Sequence, residues 1–202
     1  MKCVIISGSH RPNSQSRRVA DKIATLLPQA CPGASSELID LAYTDLPFWH
    51  EGVWQRDEIW ARSWASLSAK LKMANALIVI APEWAGMVPP SLKNFLLYCD
   101  DQELAHKPGL IVGVSASMGG AYPVAELRVS GYKNNRICWI PDHVIVRMPQ
   151  NDLDKESTDK NGPPSISERL NYSLQMLALY AQGLDHIRKS PIINYERFPY
   201  GM

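Results

Sequence analysis

The sequence predicts one α/β domain, a three-layer sandwich in which helices cover both faces of a five-stranded parallel sheet. Two observations support this prediction: five short apolar runs recur along the chain, and stretches with helical periodicity lie between them. The apolar runs are Cys3–Ser7, Ser36–Leu41, Leu77–Ala81, Leu110–Val114 and His143–Met148. Continuous apolar runs of this length are typical of strands buried on both faces, as they are in parallel sheets.

The helical stretches complete the prediction. They are Ser16–Leu27, Arg56–Lys72, Ser91–Cys99, Tyr122–Val129 and Ile166–Ile187. Because parallel strands need right-handed crossovers, few topologies remain, and five strands suit the flavodoxin-like order 2-1-3-4-5. We therefore expect a single domain over residues 1–202, with a loop over residues 152–164 and a C-terminal tail over residues 190–202.

Composition and charge exclude several classes of function. The 202 residues are 46% hydrophobic, and 21 basic residues nearly balance 20 acidic ones, so we expect neither a nucleic-acid partner nor an anionic membrane surface. No apolar run approaches the roughly 18 residues of a membrane span, and the N-terminus begins on a strand rather than on a signal peptide. The 4 cysteines form no C-x-x-C pair and the 5 histidines show no metal-ligand spacing. These features predict a cytoplasmic protein with reduced thiols and no metal site.

The loop that follows the first strand has the composition of an anion site. It leads directly into a helix, whose free N–H groups and positive dipole end attract a negative group. Ser9, Ser14 and Ser16 add hydroxyl donors, and Arg11 can add a charge-assisted contact. The loop matches neither the Walker A motif nor the Rossmann glycine fingerprint, which favours a terminal phosphomonoester over a nucleoside triphosphate. The alternative is a serine-capped helix with a solvated Arg11.

The loops after the third and fourth strands open on the same edge of the predicted sheet. A flat ring needs an apolar or aromatic wall, which Trp84 and Met87 can supply. Gly86, Gly119 and Gly120 allow the backbone to approach a ligand closely, because no Cβ intervenes. Taken alone, each loop is equally well read as an ordinary turn, but together with the anion loop they predict one site.

Three segments resemble the NADPH-dependent FMN reductase family. The first, Gly8-Ser9-x-Arg11-x-x-Ser14-x-Ser16, is similar to the family's phosphate loop. The second comprises Pro82-Glu83-Trp84, Gly86, Val88-Pro89 and Leu92-Lys93-Asn94, and it is similar to the family's P-E-Y-N-G-x-x-P-x-x-L-K-N signature. The third, Ser117-x-Gly119-Gly120 with Leu127-Arg128, is similar to the family's glycine-rich loop. The resemblance covers roughly residues 3–148, and the middle signature is the specific part of it.

The resemblance implies a flavodoxin-like fold, bound FMN, NADPH or NADH as electron donor, and a homodimer or homotetramer. It implies a small acceptor, such as a free flavin, a quinone, an azo dye or a metal ion. The residues expected to hold FMN are Ser9, Arg11, Ser14, Ser16, Pro82, Glu83, Trp84, Ala85, Gly86, Ser115, Ser117, Gly119 and Gly120. We expect no catalytic side chain, because the flavin carries the chemistry. The alternative is an electron carrier or redox-sensing FMN protein, although a carrier usually has a strongly acidic docking face.

Three residues of the middle signature depart from the family pattern. Ala85 stands where the family usually has Asn, which implies that one polar contact near the ring is missing. Trp84 replaces the usual Tyr and keeps an aromatic wall, and Pro90 replaces a common Gly. Glu83 can be interpreted as a general base, but its position at the end of a strand favours a structural anchor of the loop.

Four of the six tryptophans lie between the second and third predicted strands. They are Trp49, Trp54, Trp60 and Trp64. Trp60 and Trp64 are one helical turn apart and suit a core, whereas Trp49 and Trp54 precede the helix, where burial is less natural. Because tryptophan is enriched at protein interfaces, the sequence raises the hypothesis that this loop packs on a partner subunit near the flavin. The alternative is a core cluster or a flexible lid.

Overall fold

The fold of this chain is built on one five-stranded parallel sheet in the order β2-β1-β3-β4-β5. The computed structural model describes residues 1–155 and 162–200. The strands are β1 (Lys2–Ser7), β2 (Ser35–Asp40), β3 (Ala76–Pro82), β4 (Pro108–Ser115) and β5 (Cys138–Arg147). All four strand pairs are parallel, which confirms the predicted topology.

Helices connect the strands and cover the sheet. They are α1 (Gln15–Ala30), α2 (Glu58–Ser63), α3 (Ala65–Met73), α4 (Pro90–Tyr98), α5 (Asp101–Leu104), α6 (Ala121–Val129), α7 (Pro149–Asp152) and α8 (Ile166–Arg188), with a 3₁₀ helix over Glu51–Gln55. In the described ranges no helix is both long and apolar enough to cross a membrane.

Alternate residues of the central strands feed two separate cores, one on each face of the sheet. On one face Val4 and Ile6 pack with Leu71 of α3 and Phe95 of α4. On the opposite face the intervening residues pack against α1 and α8, as Ile5 does. Since β3 and β4 are buried along their whole length, the uninterrupted apolar runs of the sequence reflect burial on both faces.

The fifth strand begins five residues earlier than the predicted start at His143. Pro141 and Asp142 lie within it and interrupt the apolar pattern. A strand at the edge of a sheet tolerates proline, because one side of its backbone has no partner strand. A register shift opposite Gly109 and Ile111 marks the same irregular segment. The strand prediction was therefore correct in type but short at its N-terminal end.

The helix predicted over Arg56–Lys72 is divided into α2 and α3 at Trp64. Backbone hydrogen bonds continue across the division, from Trp64 N to Trp60 O and from Ser68 N to Trp64 O, both 2.8 Å long. The Trp64 ring is fully buried and lies edge-on to Phe95, with the ring centroids 5.1 Å apart. The two helices thus meet at a buried tryptophan that packs on α4, and the backbone hydrogen bonds continue through it.

The two polar segments near the C-terminus are described in part. The predicted loop over residues 152–164 follows α7, and its residues 156–161 lie outside the described ranges. The tail folds back on the domain: the Arg136 guanidinium donates to Phe198 O at 2.7 Å and lies 4.3 Å from the Tyr195 ring centroid. The described part of the tail therefore packs on the domain, and residues 201–202 lie outside the description.

Candidate functional site

The three loops singled out by the sequence meet at one edge of the sheet. They follow β1, β3 and β4, which are adjacent strands, so their carboxyl ends lie side by side. Ser7 pairs with Ile80, and Pro82 pairs with Val114, so the loops leave the sheet at nearly the same level. In an open parallel sheet this edge is where ligands bind.

The loop after β1 forms a cup of buried serine side chains, which we call the serine cup and define as Ser9, Ser14 and Ser16. All three are buried, although the loop lies at the molecular surface. Ser9 Oγ accepts a hydrogen bond from Arg11 N at 3.2 Å, and Ser14 Oγ caps α1 by accepting from Arg17 N at 3.1 Å. Because a hydroxyl that accepts still carries its proton, each can donate to a ligand as well.

Ser16 supports the interpretation of the cup as a ligand site. Its Oγ is buried and has no hydrogen-bond partner in the part of the chain that the structure describes. A buried polar atom without a partner is unfavourable by roughly 1–3 kcal/mol, so such atoms mark places where a ligand or water completes the bonding. Ser14 caps α1, so the cup also lies at a helix N-terminus, where free amides favour an anion. The cup therefore fits a phosphate group.

Trp84 joins the serine-cup loop to the loop after β3. The Trp84 ring lies edge-on to His10 with a centroid separation of 4.4 Å, and the Arg11 guanidinium lies 5.9 Å from the Trp84 ring centroid. His10 Nδ1 is 3.4 Å from Ser91 Oγ, which in turn donates to Gly8 O at 3.2 Å. The aromatic wall expected for a flat ring is thus fixed directly against the proposed phosphate site.

The loop after β3 begins with a tight turn over Trp84–Met87. Trp84 N donates to Met87 O at 3.0 Å, and Met87 N donates to Trp84 O at 2.9 Å. Ala85 and Gly86 both have positive φ, +49° and +75°. Two central residues with positive φ are the signature of a type I′ turn, for which Asn-Gly is the preferred pair. The family's Asn at position 85 therefore has a backbone role, which an alanine here fills with strain.

The loop after β4, residues 115–120, is called the glycine-rich loop below. Gly120 N donates to Glu83 Oε2 at 2.5 Å, and Ser117 N donates to Ser115 Oγ at 3.2 Å. A Cβ on Gly119 would lie 2.6 Å from Glu83 Oε1, so a side chain there would displace the carboxylate. Glu83 thus anchors one loop to the next, which agrees with its interpretation as a structural residue.

Arg147 is the residue at this edge that sequence reasoning missed. It ends β5, and its Nε donates to Met118 O at 2.7 Å and to Gly119 O at 2.9 Å, both in the glycine-rich loop. The one signal in the sequence was its position near the end of the predicted strand His143–Met148, next to the expected ligand edge. No family motif named it, because it lies beyond the third matching segment.

The charges near the serine cup are mostly paired. Arg17 binds Asp21 at 2.9 Å and Asp40 at 3.2 Å, and these hydrogen bonds raise the pKa of Arg17. Arg18 binds Asp154 at 2.7 Å. Arg11, by contrast, makes no ion pair within residues 1–155 and 162–200. The one arginine of the serine-cup loop is therefore available to an anion.

The four tryptophans of the connection after β2 occupy different environments. Trp64 is fully buried, and Trp49 and Trp60 pack partly buried against the same core. Trp54 is 75% exposed and touches Trp49 edge-on with ring centroids 5.0 Å apart. Three of the four rings therefore belong to the core or its border. Only the interface hypothesis still applies to the fourth, the exposed ring of Trp54.

The residues predicted for FMN thus lie along one open edge, with Trp84 beside Arg11 and the serine cup, and with the glycine-rich loop following on the next strand. A flat ring carrying a phosphate matches this arrangement, because the polar cup and the aromatic wall belong to adjoining loops. Gly119 and Gly120 let peptide groups approach the polar edge of such a ring without a side chain between them.

Comparison with known proteins agrees with this geometry. The chain is 31% identical over 120 residues to an NADPH azoreductase from Bacillus sp. (strain OY1-2), an alignment that covers 59% of this chain and 62% of that protein's length. It is 32% identical over 133 residues to a quinone reductase of Escherichia coli (strain K12), covering 63% of this chain and 68% of the relative. A solved structure of an NADH:FMN oxidoreductase in its apo form superposes with a TM-score of 0.69 at 20% identity over 88% of both chains, which is a likeness of fold. The family model described as NADPH-dependent FMN reductase matches residues 1–150, and the chain belongs to this family.

Proposed function

We propose that this protein is an FMN-dependent oxidoreductase that passes electrons from NADPH or NADH to a small acceptor. The observation that carries the proposal is the serine cup, with the unpartnered Ser16 Oγ, placed beside the aromatic wall of Trp84. Bound FMN would supply the redox chemistry, taking a hydride from the nicotinamide and releasing two electrons to the acceptor.

The proposed work of the chain is binding and positioning rather than acid–base catalysis. The hydroxyl groups of Ser9, Ser14 and Ser16 donate hydrogen bonds to the phosphate, and Arg11 adds a charge-assisted hydrogen bond. Trp84 walls one side of the ring, and the glycine-rich loop meets its polar edge. The FMN contacts, including those of Pro82, Ala85, Gly86, Ser115 and Ser117, remain a proposal that binding measurements on single variants can test.

The rim of the site supports a flat apolar acceptor. Met87, Met118 and Tyr122 are all exposed at this edge, and a Cβ on Gly86 would lie 3.9 Å from Tyr122 Cδ2. Methionine adapts to ligands of different shape because its chain is flexible and polarizable. Quinones and azo dyes, the substrates named for two relatives, are flat molecules of this kind.

Turnover separates this proposal from an electron carrier. The experiment is steady-state oxidation of NADPH and of NADH by the FMN-loaded protein with a benzoquinone as acceptor. We expect continuous turnover with at least one donor. Reduction of the bound flavin by a partner protein but never by NADPH or NADH would favour the carrier instead.

We further propose a cytoplasmic homodimer or homotetramer. All four cysteines are free thiols, which is typical of a reducing compartment. Phe48 and Trp54 are 83% and 75% exposed in the connection after β2, and large exposed apolar side chains favour burial against another surface. Trp54 borders a cavity together with Tyr98, Asp101 and Tyr200, at the end of α4 that lies away from the loop after β3, so the proposed interface would cover that side of the molecule.

A further inference from the structure

The glycine-rich loop is held from both sides by charged side chains. Glu83, at the end of the loop's neighbour β3, accepts from Gly120 N, while Arg147, at the end of β5, donates its Nε proton to Met118 O at 2.7 Å and Gly119 O at 2.9 Å. Arg147 pairs in the sheet with Ser115, the first residue of the loop, so its backbone is fixed where the loop starts. Two strands therefore determine the orientation of two successive peptide groups.

These contacts of Glu83 and Arg147 fix the direction of one N–H group in the glycine-rich loop, because the peptide unit is planar. In a trans peptide the carbonyl and the following N–H point in opposite directions, and the peptides of the described ranges are all trans. Gly119 O points to Arg147, and Gly120 N–H accordingly points to Glu83 on the other side. Because Met118 O also points to Arg147, Gly119 N–H must point away from it. Gly119 N makes no hydrogen bond within the described part of the chain.

We propose that Arg147 is a positioning residue that presents the Gly119 N–H to the acceptor atoms on the pyrimidine edge of the flavin ring. The inference rests on the proposed function, since it assigns a role within the same site. Arg147 orients the peptides and places a positive charge behind them. Because Gly120 N–H is already bonded to Glu83, the Gly119 N–H is the donor left for the ring, and a donor there favours the reduced flavin, with its greater electron density, over the oxidised flavin.

Arg128 offers a matched control for this proposal. Its guanidinium also donates to backbone carbonyls, to Ile140 O at 2.9 Å and Pro141 O at 2.8 Å, and it too ties a neighbouring element to β5. These carbonyls lie in the N-terminal half of β5, whereas the ligand edge lies at the carboxyl end. Replacing Arg128 removes a comparable structural contact without touching the glycine-rich loop.

The test compares Arg147→Met with Arg128→Met. Binding of riboflavin and of FMN is measured by titration of the flavin-free protein, and the midpoint potential of the bound flavin is measured in the same variants. We expect Arg147→Met to weaken both flavins by the same factor, about three- to tenfold, the worth of one oriented hydrogen bond. We also expect a lower midpoint potential. The potential falls by about 30 mV for each factor of ten by which the variant loses more affinity for the reduced flavin than for the oxidised flavin. Arg128→Met should leave both affinities within about twofold of wild type and the potential unchanged.

Other outcomes would overturn the inference. Equal affinities in Arg147→Met and wild type would contradict it, as would a loss confined to FMN, which would make Arg147 a phosphate ligand. If Arg147→Met fails to fold, Arg147→Gln removes the charge but keeps a polar side chain, and unchanged flavin affinities together with an unchanged midpoint potential in that variant would contradict the inference equally. A wild-type protein that binds neither flavin would refute the proposed function itself, which is a separate result.

Discussion

The turn after β3 holds an alanine in a left-handed backbone conformation, which residues other than Gly, Asn and Asp seldom adopt. Ala85 has φ of +49° in the first central position of the turn. The left-handed region is unfavourable by roughly 1–2 kcal/mol for a residue with a Cβ, and Asn tolerates it better than Ala does. Alanine at this site in place of the family's usual Asn therefore lowers local stability and places a smaller, apolar side chain at the proposed flavin site.

Restoring the asparagine should stabilise the protein. We predict that Ala85→Asn raises the free energy of unfolding by about 0.5–1 kcal/mol, measured from urea midpoints of the flavin-free protein, because the same turn is then formed by a residue suited to it. Ala85→Val should lower stability, since a β-branched residue is strained at positive φ. Equal stability of the three proteins would show that the turn relaxes to negative φ.

Arg11 should discriminate FMN from riboflavin. Removing a hydrogen bond to a charged group weakens binding by about 1.5–3 kcal/mol, so Arg11→Ala should reduce FMN affinity about ten- to a hundredfold and affect riboflavin little. Arg18→Ala, which removes an arginine of α1 that is paired with Asp154, is the control and should leave both affinities near wild type. Equal losses of both flavins in Arg11→Ala would place its guanidinium away from the phosphate.

The elements on the far edge of the sheet, where β4 begins, hold a buried ionisable pair. Glu103 of α5 is buried and accepts from Ser68 Oγ and, at 2.9 Å, from Asp100 N. Burial, together with the nearby Asp100, raises the pKa of Glu103 to about 7 from its ordinary value of 4.5. Lys107 caps α3 by donating to Leu71 O at 2.6 Å, and burial lowers its pKa to about 8. Both groups are thus held in places that disfavour their charged forms.

Glu103 gives the stability of the protein a definite pH dependence. Between pH 4.5 and about 7 the folded protein retains a proton that the unfolded chain has released, so stability should fall as pH rises through this window. Glu103→Gln keeps a side-chain acceptor and removes the titration, so we expect a flatter profile there and a gain of about 1–3 kcal/mol above pH 7. The measurement is urea unfolding at a series of pH values.

Glu168 is the matched control, because it occupies the same capping-box position in α8 but is exposed to solvent. Hydrogen bonds from Ser165 lower the pKa of Glu168, so its charged form stabilises the folded state and is lost as pH falls. Glu168→Gln should therefore leave the slope between pH 4.5 and 7 intact. A wild-type profile in Glu103→Gln would mean that Glu103 is already charged in the folded protein.

Apolar runs predicted the central elements well and the outer ones less well. The strands β1, β3 and β4 are buried on both faces, so their sequences are continuous and easily recognised. The edge strand β2 has exposed and partly buried residues with Ile39 as its one buried residue, and β5 contains Pro141, so each gives a weaker or shortened signal. The break at Trp64 depends on rings from α4, a contact that no local pattern contains.

The candidate site could likewise be predicted only in part. Its three loops could be located because each follows a recognisable strand, and the order of the sheet then brings them to one edge. The contact of His10 with Trp84 and the clamp of Arg147 on the glycine-rich loop join residues that are distant in the chain. Such contacts arise from tertiary packing, and only the folded chain displays them.

At the scale of the whole molecule, the proposed oligomer depends on an exposed aromatic ring. Trp54 is 75% exposed in the monomer, a large apolar surface for a single domain. We predict that Trp54→Ala shifts the equilibrium toward the monomer, measured by sedimentation at micromolar concentration, with FMN affinity changed less than in Arg11→Ala. Val129, also 77% exposed but on α6, provides the comparison as Val129→Ala. A wild-type protein that is monomeric with FMN bound would remove the interface hypothesis.

The central claim is that this sheet edge holds FMN and that the bound flavin takes electrons directly from a pyridine nucleotide. The most direct measurement is the visible absorption spectrum of the purified protein after incubation with FMN and removal of the free flavin, followed by anaerobic addition of NADPH and then of NADH. We predict a flavin spectrum with about one FMN per chain, bleached by at least one of the two donors. A protein that stays colourless after incubation with FMN, or one whose bound FMN neither donor bleaches, would contradict the account.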